Sequence, residues 1–341
     1  MSNPLRIATV GTGYFSQFHY DAWRRCEGVE LVGIADLNFA SAQKLADAFG
    51  CTAYGDVVRM LEEEKPDLLD VITPPASHLP LIEQAATHGV NVICQKPFCG
   101  DLASAQKAVK LAEAAGIDIT IHENFRFQPW YGAIKQALEA SRLGELFQIT
   151  FRLRPGDGQG ANAYLDRQPY FQKMERFLVH ETAIHYVDVF RYLAGEVSSV
   201  QARLDKLNPA IAGEDACLII TQHENGVRGL IDGNRLADHR ADNTRRTMGE
   251  MVVEGEKGSL VLTGDGAVTF REHGSETITP LAFNWRDHGF GGDCVYLFTR
   301  HVVEHYRHGS PRQNSGRDYL RNLEIEEAIY QSNKQQRVLT V

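Results

Sequence analysis

Two stretches of this sequence place reactive side chains where they could act on a substrate. The first is the run from Asn91 to Phe98, in which a short apolar segment ends in Lys96 and is stopped by a proline. A lysine at the carboxyl end of a buried parallel strand points into the crevice where ligands bind. Its positive charge would lower the pKa of a substrate hydroxyl and stabilise a developing alkoxide. The alternative is an ordinary solvated lysine.

The second stretch is a predicted helix over residues 177–193, which carries a candidate general base. Glu181, His185 and Asp188 are spaced by four and three residues, so they share one edge of a regular α-helix. A carboxylate one turn before a histidine can fix the tautomer of the imidazole and raise its basicity. Such pairs also occur as plain surface contacts. His180 would compete for the substrate, but it lies about 100° around the helix from Glu181, and His185 is the preferred base.

The amino-terminal segment has the order strand, glycine turn and helix that is typical of dinucleotide-binding proteins. A strand over residues 5–10 runs into Gly11-Thr12-Gly13-Tyr14-Phe15-Ser16, where the glycines permit a tight turn and a close approach of a pyrophosphate. Ser16 replaces the third glycine of the G-x-G-x-x-G pattern and weakens the match. A second predicted strand ends in Asp36, which can accept hydrogen bonds from both ribose hydroxyls and repels a 2′-phosphate. We therefore predict a site for NAD, with NADP less favoured, although Asp36 could also cap a helix. The residues predicted to line it are Gly11, Gly13, Tyr14, Phe15 and Asp36.

Predicted strands and helices continue to alternate as far as residue 121. Further apolar strands are predicted at residues 68–72 and 117–121 and in the run that ends at Lys96. This alternation requires right-handed crossovers and predicts an α/β fold with a doubly wound parallel sheet of the Rossmann type. Polar residues follow three of the strands and should line one crevice. They are Gly11 and Gly13, Thr73 and Pro74 with His78, and Gln95 with Lys96.

The second half of the chain has a different pattern. Strand-like runs from residue 198 to residue 270 are joined by glycine and asparagine turns, which predicts an α+β domain with a large, mostly antiparallel open sheet. Helices are predicted at residues 294–308 and 317–333. The loop from Arg154 to about Lys173 begins with three glycines and a proline and is rich in polar and aromatic side chains. It is interpreted as a lid over the substrate, with a mobile surface excursion as the alternative.

Several motifs resemble those of the glucose–fructose oxidoreductase, inositol dehydrogenase and rhizopine-catabolism (Gfo/Idh/MocA) superfamily. They are a G-x-G turn with His19 eight residues after its first glycine, the Thr-Pro-Pro-x-x-His segment from Thr73 to His78, and an acid-Lys-Pro triplet after the fifth strand. The triplet departs from the family because Gln95 stands where glutamate is usual. The segment around His185 resembles the pattern Asp-x-Gly-x-His-x-x-Asp, with Glu181 in place of the first aspartate. The resemblance covers essentially the whole chain and implies that His185 is the catalytic histidine.

The segment 122–129 resembles the family's Asn-x-Arg-Phe-x-Pro junction, which places a domain boundary near residue 125. The expected division is a dinucleotide-binding Rossmann domain at residues 1–125 and a substrate-binding and oligomerisation domain at residues 126–341. The segments 154–168 and 177–185 resemble the D-apiose dehydrogenase branch of the superfamily. The residues expected to hold substrate hydroxyls are Asn124, Arg126, Asp157, Gln159, Tyr164, Arg176 and His180.

Composition limits the remaining possibilities. The chain has 341 residues, enough for two domains, and its formal net charge of −9 argues against a nucleic-acid partner. Six cysteines without a C-x-x-C pair argue against a zinc knuckle and favour a reduced, cytoplasmic setting. No leader-like segment and no run of about 20 apolar residues is present, so a soluble protein that does not contact a membrane is expected.

These features together predict an NAD-dependent dehydrogenase that transfers a hydride from a carbinol carbon of a sugar or polyol. Lys96 and His185 would handle the hydroxyl proton, Glu181 would orient His185, and no metal is required. The resemblance implies an aldose such as D-apiose, oxidised to its lactone, and a homodimer or homotetramer. Two alternatives remain. Some relatives use NAD transiently to cleave or epimerise glycosides, and others are silent sensors of sugar or nucleotide, against which the presence of both Lys96 and His185 argues.

Overall fold

The computed structural model describes residues 3–341, which form two compact units. The first unit contains the chain through Asn124 together with Val295–Leu323, and the second contains Phe125–Cys294 together with Glu324–Val341. The predicted division at residue 125 assigned all of residues 126–341 to one domain, whereas the structure returns residues 295–323 to the first unit. Within residues 3–341, no helix combines the length and the apolarity that crossing a bilayer requires.

Contacts between distant parts of the chain explain why residues 295–323 belong to the first unit. Arg317 Nε donates to Glu113 Oε1 over 2.6 Å, and Asn314 Nδ2 donates to the carbonyl oxygen of Glu123 over 2.7 Å. These partners are about two hundred residues apart, and a periodic apolar pattern along one helix does not reveal them.

A parallel sheet forms the centre of the first unit. Its strands are β1 (Leu5–Val10), β2 (Val29–Ala35), β3 (Thr52–Tyr54), β4 (Leu68–Val71), β5 (Asn91–Gln95) and β6 (Ile119–His122). They lie in the order β3-β2-β1-β4-β5-β6 with all neighbours parallel, which confirms the predicted doubly wound sheet. The order reverses between β1 and β4, and ligands bind at the carboxyl ends of strands that flank such a reversal.

Five helices of this unit alternate with its strands, and several of them begin or end at residues suited to helix ends. They are α1 (Ser16–Arg25), α2 (Phe39–Phe49), α3 (Val57–Glu64), α4 (His78–Thr87) and α5 (Leu102–Ala115). Asp56 caps α3 by accepting the N–H of Arg59 over 2.9 Å, and Asp101 caps α5 by accepting that of Ser104 over 2.7 Å. Gly116 ends α5 with a φ of 69°, in the left-handed region that glycine adopts without strain.

The second unit is built on a nine-stranded sheet. This unit also contains the helices α6 (Pro129–Glu139) and α7 (Ile184–Ala194). Its strands are β7 (Leu146–Leu153), β8 (Val197–Asp205), β9 (Ala216–His223), β10 (Arg228–Asn234), β11 (Gly249–Gly255), β12 (Gly258–Leu262), β13 (Val268–Glu272), β14 (Ile278–Pro280) and β15 (Leu339–Thr340). The order is β14-β13-β12-β11-β7-β10-β9-β8-β15, and every neighbouring pair is antiparallel except β7 and β10. The predicted mostly antiparallel sheet is therefore confirmed.

Alternation along β7 creates the core of this unit. Ile149, Phe151 and Leu153 are fully buried on one face of the strand, and the ring of Phe151 stacks on Tyr186 of α7 at a centroid distance of 3.8 Å. The chain closes with α8 (Cys294–His308) and α9 (Gly316–Gln335), close to the predicted bounds.

Candidate active site

The glycine turn after β1 uses its two glycines for different reasons. Gly11 has a φ of 110°, and a Cβ atom there would lie 2.3 Å from the carbonyl oxygen of Ile72, so only glycine fits. Apart from Gly13 itself and its two chain neighbours, no heavy atom of residues 3–341 lies within 4 Å of a Cβ added at Gly13, which leaves the backbone open to an incoming group. Ser16 begins α1 and donates its hydroxyl to the Gly13 carbonyl over 2.7 Å. An open turn at a helix amino terminus is suited to a pyrophosphate.

Asp36 lies at the end of β2, and hydrogen bonds hold its carboxylate beside the glycine turn. Its Oδ2 accepts from the backbone N–H of Thr12 over 2.8 Å and from the Thr12 hydroxyl over 2.7 Å, and its Oδ1 accepts from the N–H of Asn38 over 2.7 Å. Tyr14 is 42% exposed in the same turn, while Phe15 is half-buried. These contacts fit an adenosine ribose on Asp36 and the rest of a dinucleotide on the turn.

The Thr73–His78 segment lies at the end of β4, where the structure gives His78 a supporting position. Its Nε2 contacts the Thr73 carbonyl oxygen at 2.7 Å, and its Nδ1 accepts from the N–H of Cys99 over 3.4 Å. Burial lowers the pKa of His78 to about 4. His78, predicted to contact the cofactor, is therefore a buried neutral imidazole that ties the turn to the loop after β5, while Thr73 and Pro74 remain accessible.

Lys96 follows β5 directly, and its backbone is the first member of a buried series of hydrogen bonds that continues through Gln95 and His19 to Asp70. The backbone N–H of Lys96 donates to Gln95 Oε1 over 2.9 Å, and Gln95 Nε2 lies 2.8 Å from His19 Nε2. His19 Nδ1 in turn lies 2.8 Å from Asp70 Oδ2, which also accepts from the indole N–H of Trp23 over 2.8 Å. Asp70 was not among the predicted site residues. An aspartate inside an otherwise apolar strand was the signal that could have found it.

His185 is the second residue of α7, and it lies against an aromatic ring and one turn before a buried ion pair. Its ring stacks on Phe125 with centroids 3.7 Å apart and planes 1° from parallel, and the side chain is buried. One turn further on, Asp188 accepts from Arg126 Nε over 2.8 Å and from Arg126 Nη2 over 2.6 Å. Arg126, predicted to hold the substrate, is thus also one half of a buried ion pair.

The predicted regular helix over residues 177–193 is wrong in its first part, because Leu178–Ala183 is a π-helix. The residues-per-turn rule that placed Glu181 beside His185 does not hold across such a segment. Glu181 Oε2 accepts from the Thr182 hydroxyl and lies 3.5 Å from Arg235 Nη1. Its orientation of His185 stays a prediction.

Arg235 is a buried cation at the centre of a cluster that the sequence analysis missed. Its Nε and Nη2 donate to Asp157 over 3.1 and 2.8 Å, and Arg167 adds a third contact to the same carboxylate at 3.1 Å. Burial by itself raises the pKa of the Asp157 carboxyl, but the two guanidinium groups outweigh burial and hold that pKa below its usual range. The rings of Tyr164 and Phe177 lie 5.0 and 4.8 Å from the Arg235 guanidinium carbon.

This cluster anchors the loop that was interpreted as a lid. The Tyr164 hydroxyl donates to Asp157 over 3.4 Å, and Gln159 Nε2 donates to the carbonyl of Leu236 over 2.6 Å. Asn208 Nδ2 donates to the carbonyl oxygens of Gly158 and Gly160, over 2.7 and 2.9 Å. The described contacts of Asp157, Gln159 and Tyr164 therefore hold the loop in place, and it is not a loose excursion.

The two remaining predicted substrate contacts of the second unit meet acidic residues of α9. His180 Nδ1 lies 2.7 Å from the buried Glu326, and Arg176 Nη1 donates to Glu327 over 2.7 Å. These partners are about 150 residues away in the chain, and the sequence offers no local signal for them. In the first unit, the predicted contact Asn124 is buried.

Comparisons with known proteins agree with this architecture. Residues 5–122 match the model of the Gfo/Idh/MocA oxidoreductase family, NAD-binding Rossmann fold, and residues 131–261 match the Gfo/Idh/MocA C-terminal domain. The chain therefore belongs to the Gfo/Idh/MocA oxidoreductase family, as the motifs predicted, and NAD is the cofactor of its parallel-sheet unit.

Several relatives are named as dehydrogenases of sugars or polyols. The chain is 35% identical to D-apiose dehydrogenase of Paraburkholderia graminis over 97% of its own length and 88% of the relative's. It is 29% identical to D-apiose dehydrogenase of Rhizobium rhizogenes, with coverage of 96% and 95%. A crystal structure of an oxidoreductase from Agrobacterium radiobacter, in complex with NAD+, L-tartaric acid and magnesium, is 28% identical, covers 98% of both chains and superposes with a TM-score of 0.89.

Proposed function

We propose that this chain is an NAD-dependent dehydrogenase that oxidises D-apiose, or an aldose close to it, to the lactone. The observation that carries the proposal is the similarity to two D-apiose dehydrogenases along nearly the whole chain. In this reaction the carbinol carbon loses a hydride and its hydroxyl loses a proton, so that this same carbon becomes the carbonyl carbon of the lactone.

NAD supplies the nicotinamide ring that accepts the hydride. The residues present fit this cofactor, because the open backbone at Gly13 admits a pyrophosphate and the oriented Asp36 carboxylate meets a ribose diol. The negative charge of Asp36 opposes a 2′-phosphate, so NAD is proposed over NADP. The other residues that we propose to contact NAD lie in the turn after β1 and at the ends of β4 and β5. They are Gly11, Tyr14, Phe15, Thr73, Pro74, Gln95 and Lys96.

Lys96 and His185 are proposed to act on the substrate hydroxyl. Lys96 Nζ would stabilise the oxygen as it gains negative charge, and a ring nitrogen of His185 would take its proton. Glu181 is proposed to assist His185, with Arg235 holding the Glu181 carboxylate in place. Asn124 and Arg126 are proposed to hold substrate hydroxyls. Asp157, Gln159 and Tyr164 are proposed to shape the loop from which the sugar is recognised.

His180 remains the competing base, because Glu326 is positioned to orient its imidazole. Replacement of each histidine separates the two assignments. We expect His185→Asn to lower kcat by at least about 100-fold and His180→Asn to act mainly on KM. The reverse pattern would make His180 the base.

The decisive experiment supplies purified protein with NAD or NADP and a panel of aldoses and polyols that includes D-apiose, while nicotinamide absorbance is recorded. We expect turnover with NAD and D-apiose, and a loss of about 100-fold in Lys96→Ala. Lys44→Ala, at an exposed lysine of α2, is the matched control and should keep full activity. If the cofactor stays bound through purification and sugar produces no net reduced nicotinamide, the transient-NAD alternative replaces the dehydrogenase. Binding without any turnover would favour the sensor.

A homodimer or homotetramer in the cytoplasm is proposed for the setting. Leu218 and Ile220 are two residues apart on β9, so they lie on the same face of the strand, and their side chains are 50% and 49% exposed. The open face of the sheet therefore presents an apolar patch. All six cysteines are free thiols, as a reducing compartment requires. Light scattering after chromatography should give a multiple of 38.1 kDa. The double variant Leu218→Glu with Ile220→Glu should shift it to the monomer, while Ile278→Glu on β14 should not.

A further inference from the structure

The hydrogen bonds behind Lys96 define the direction of every proton in the series. The backbone N–H of Lys96 can only donate, so the Gln95 atom that faces it at 2.9 Å must be the amide oxygen. The Gln95 amide nitrogen therefore faces His19 Nε2, 2.8 Å away, and donates to it. A ring nitrogen that accepts a hydrogen bond carries no proton.

His19 passes the same hydrogen-bond direction on to Asp70. Since Nε2 of His19 is an acceptor, the proton of the neutral imidazole is on Nδ1, where it meets Asp70 Oδ2 at 2.8 Å. Asp70 is fully buried, and the indole N–H of Trp23 supplies the second donor to the same oxygen. The chain of donors thus runs in one direction, from the Gln95 amide through the imidazole to the aspartate.

His122 lies against this series from β6. Its ring stacks on His19 with centroids 4.0 Å apart, and its Nδ1 lies 3.5 Å from Gln95 Nε2, at the limit of a hydrogen bond. The titratable side chains that these contacts bring together are Asp70 from β4, His19 from α1 and His122 from β6. Gln95 is the neutral member that faces both histidines and Lys96.

We propose that Gln95 is a positioning residue that holds His19 as the neutral Nδ1–H tautomer and fixes the backbone of Lys96 without placing a negative charge beside it. A glutamate of the same shape would present an acceptor to His19 Nε2, and the imidazole would then need a proton on both nitrogens. In the native series Asp70 carries the single negative charge, while His19 and Gln95 are neutral. In a Gln95→Glu variant the net charge of the series stays the same, because the new carboxylate is balanced by the new proton. The added carboxylate, however, lies next to Lys96 and the added proton lies on His19.

The consequence for catalysis rests on the proposed function of Lys96. A carboxylate on the residue next to Lys96 weakens the positive field that stabilises the alkoxide, which slows the chemical step more than it affects binding of NAD. We expect Gln95→Glu, which keeps the length and shape of the side chain, to lower kcat by about tenfold, a larger change than any in KM for NAD. Gln106→Glu makes the same chemical change at an exposed position of α5 and should match the wild type.

The test that does not depend on turnover is the protonation pattern of His19. In ¹⁵N-histidine-labelled protein without cofactor at pH 7, with the signal assigned by its loss in His19→Asn, we expect a protonated Nδ1 and an unprotonated Nε2. Gln95→Glu should show both nitrogens protonated, and Gln106→Glu should keep the wild-type pattern. A wild-type proton on Nε2, or an unchanged pattern in Gln95→Glu, would overturn the proposal even if that variant is slow. If no sugar gives turnover, the proposed function fails and the nitrogen signals still decide the role of Gln95.

Discussion

Phe125 and His185 lie face to face, with ring centroids 3.7 Å apart and ring planes 1° from parallel. Both rings are buried, and Phe125 also meets Tyr186 edge-on at 5.6 Å. A flat aromatic surface on one face of an imidazole limits rotation of the ring about its side-chain bonds. Phe125 therefore fixes the plane in which His185 presents its nitrogens.

Replacement of Phe125 by leucine should consequently lower kcat. An aromatic pair contributes about 0.5–1.5 kcal/mol beyond the area it buries, which corresponds to a loss of about 2- to 10-fold if the pair orients the base. Steady-state kinetics with saturating NAD would measure it. Phe125→Tyr keeps the ring and should keep activity, and Phe270→Leu removes a ring that lies on Arg142 instead. Equal losses in Phe125→Leu and Phe270→Leu would show a general packing effect.

Removal of one partner of the ion pair between Arg126 and Asp188 should strongly destabilise the protein. Two hydrogen bonds of 2.8 and 2.6 Å join the groups, and the Asp188 side chain has no exposed surface. Asp188→Asn leaves the Arg126 charge buried without its counterion, which costs about 3–5 kcal/mol of unfolding free energy. Denaturant titration would measure the loss.

Glu250→Gln is the matched control, because Glu250 pairs with Arg152 at 3.6 Å on the surface. We expect that change to cost less than about 1 kcal/mol. Similar midpoints for Asp188→Asn and Glu250→Gln would mean that the buried pair contributes little.

Five of the six strands of the parallel sheet could be predicted, because each is an apolar run of four or more residues. The missed strands, which are β3 of that sheet and β14 and β15 of the second unit, have three residues or fewer, too short for any periodic pattern. The glycine turn and Asp36 could also be placed, since their chemistry depends on a local order of strand, turn and helix.

The partners of the site residues could not be predicted in the same way. Glu181 meets Arg235, which lies 54 residues further along, and His180 meets Glu326, 146 residues away. The π-helix has the same apolar composition as an α-helix, so its changed angular spacing is not visible in the sequence. His78 was placed at the cofactor by its position after a strand and by the Thr-Pro-Pro-x-x-His motif, and neither of these reveals the two hydrogen bonds that it makes inside the unit.

His78 should give the protein a measurable loss of stability in acid. Burial lowers its pKa to about 4 in the folded state, against an ordinary value near 6.5. Between these values the unfolded chain binds a proton that the folded protein does not, so stability falls as pH falls through this window. For this one group the full effect is about 3 kcal/mol.

Unfolding free energies measured from pH 7 to pH 4 would test it. In His78→Gln, which cannot take up the proton, this part of the slope should disappear, whereas His308→Gln at an exposed position should keep the wild-type slope. An unchanged slope in His78→Gln would show that other groups cause the acid sensitivity.

The two glycines of the turn after β1 should respond oppositely to alanine. Gly11→Ala places a Cβ atom 2.3 Å from the Ile72 carbonyl oxygen at a φ of 110°, so it should destabilise the first unit by several kcal/mol, of which about 1–2 kcal/mol is backbone strain. Gly13→Ala meets no atom of residues 3–341 within 4 Å and should leave unfolding free energy within about 0.5 kcal/mol of the wild type. The added methyl group would occupy the approach of the pyrophosphate, so the Kd for NADH should rise at least about tenfold. Denaturant titration and calorimetric NADH titration of both variants measure the two effects separately. If Gly13→Ala binds NADH as tightly as the wild type, the pyrophosphate does not lie on this turn.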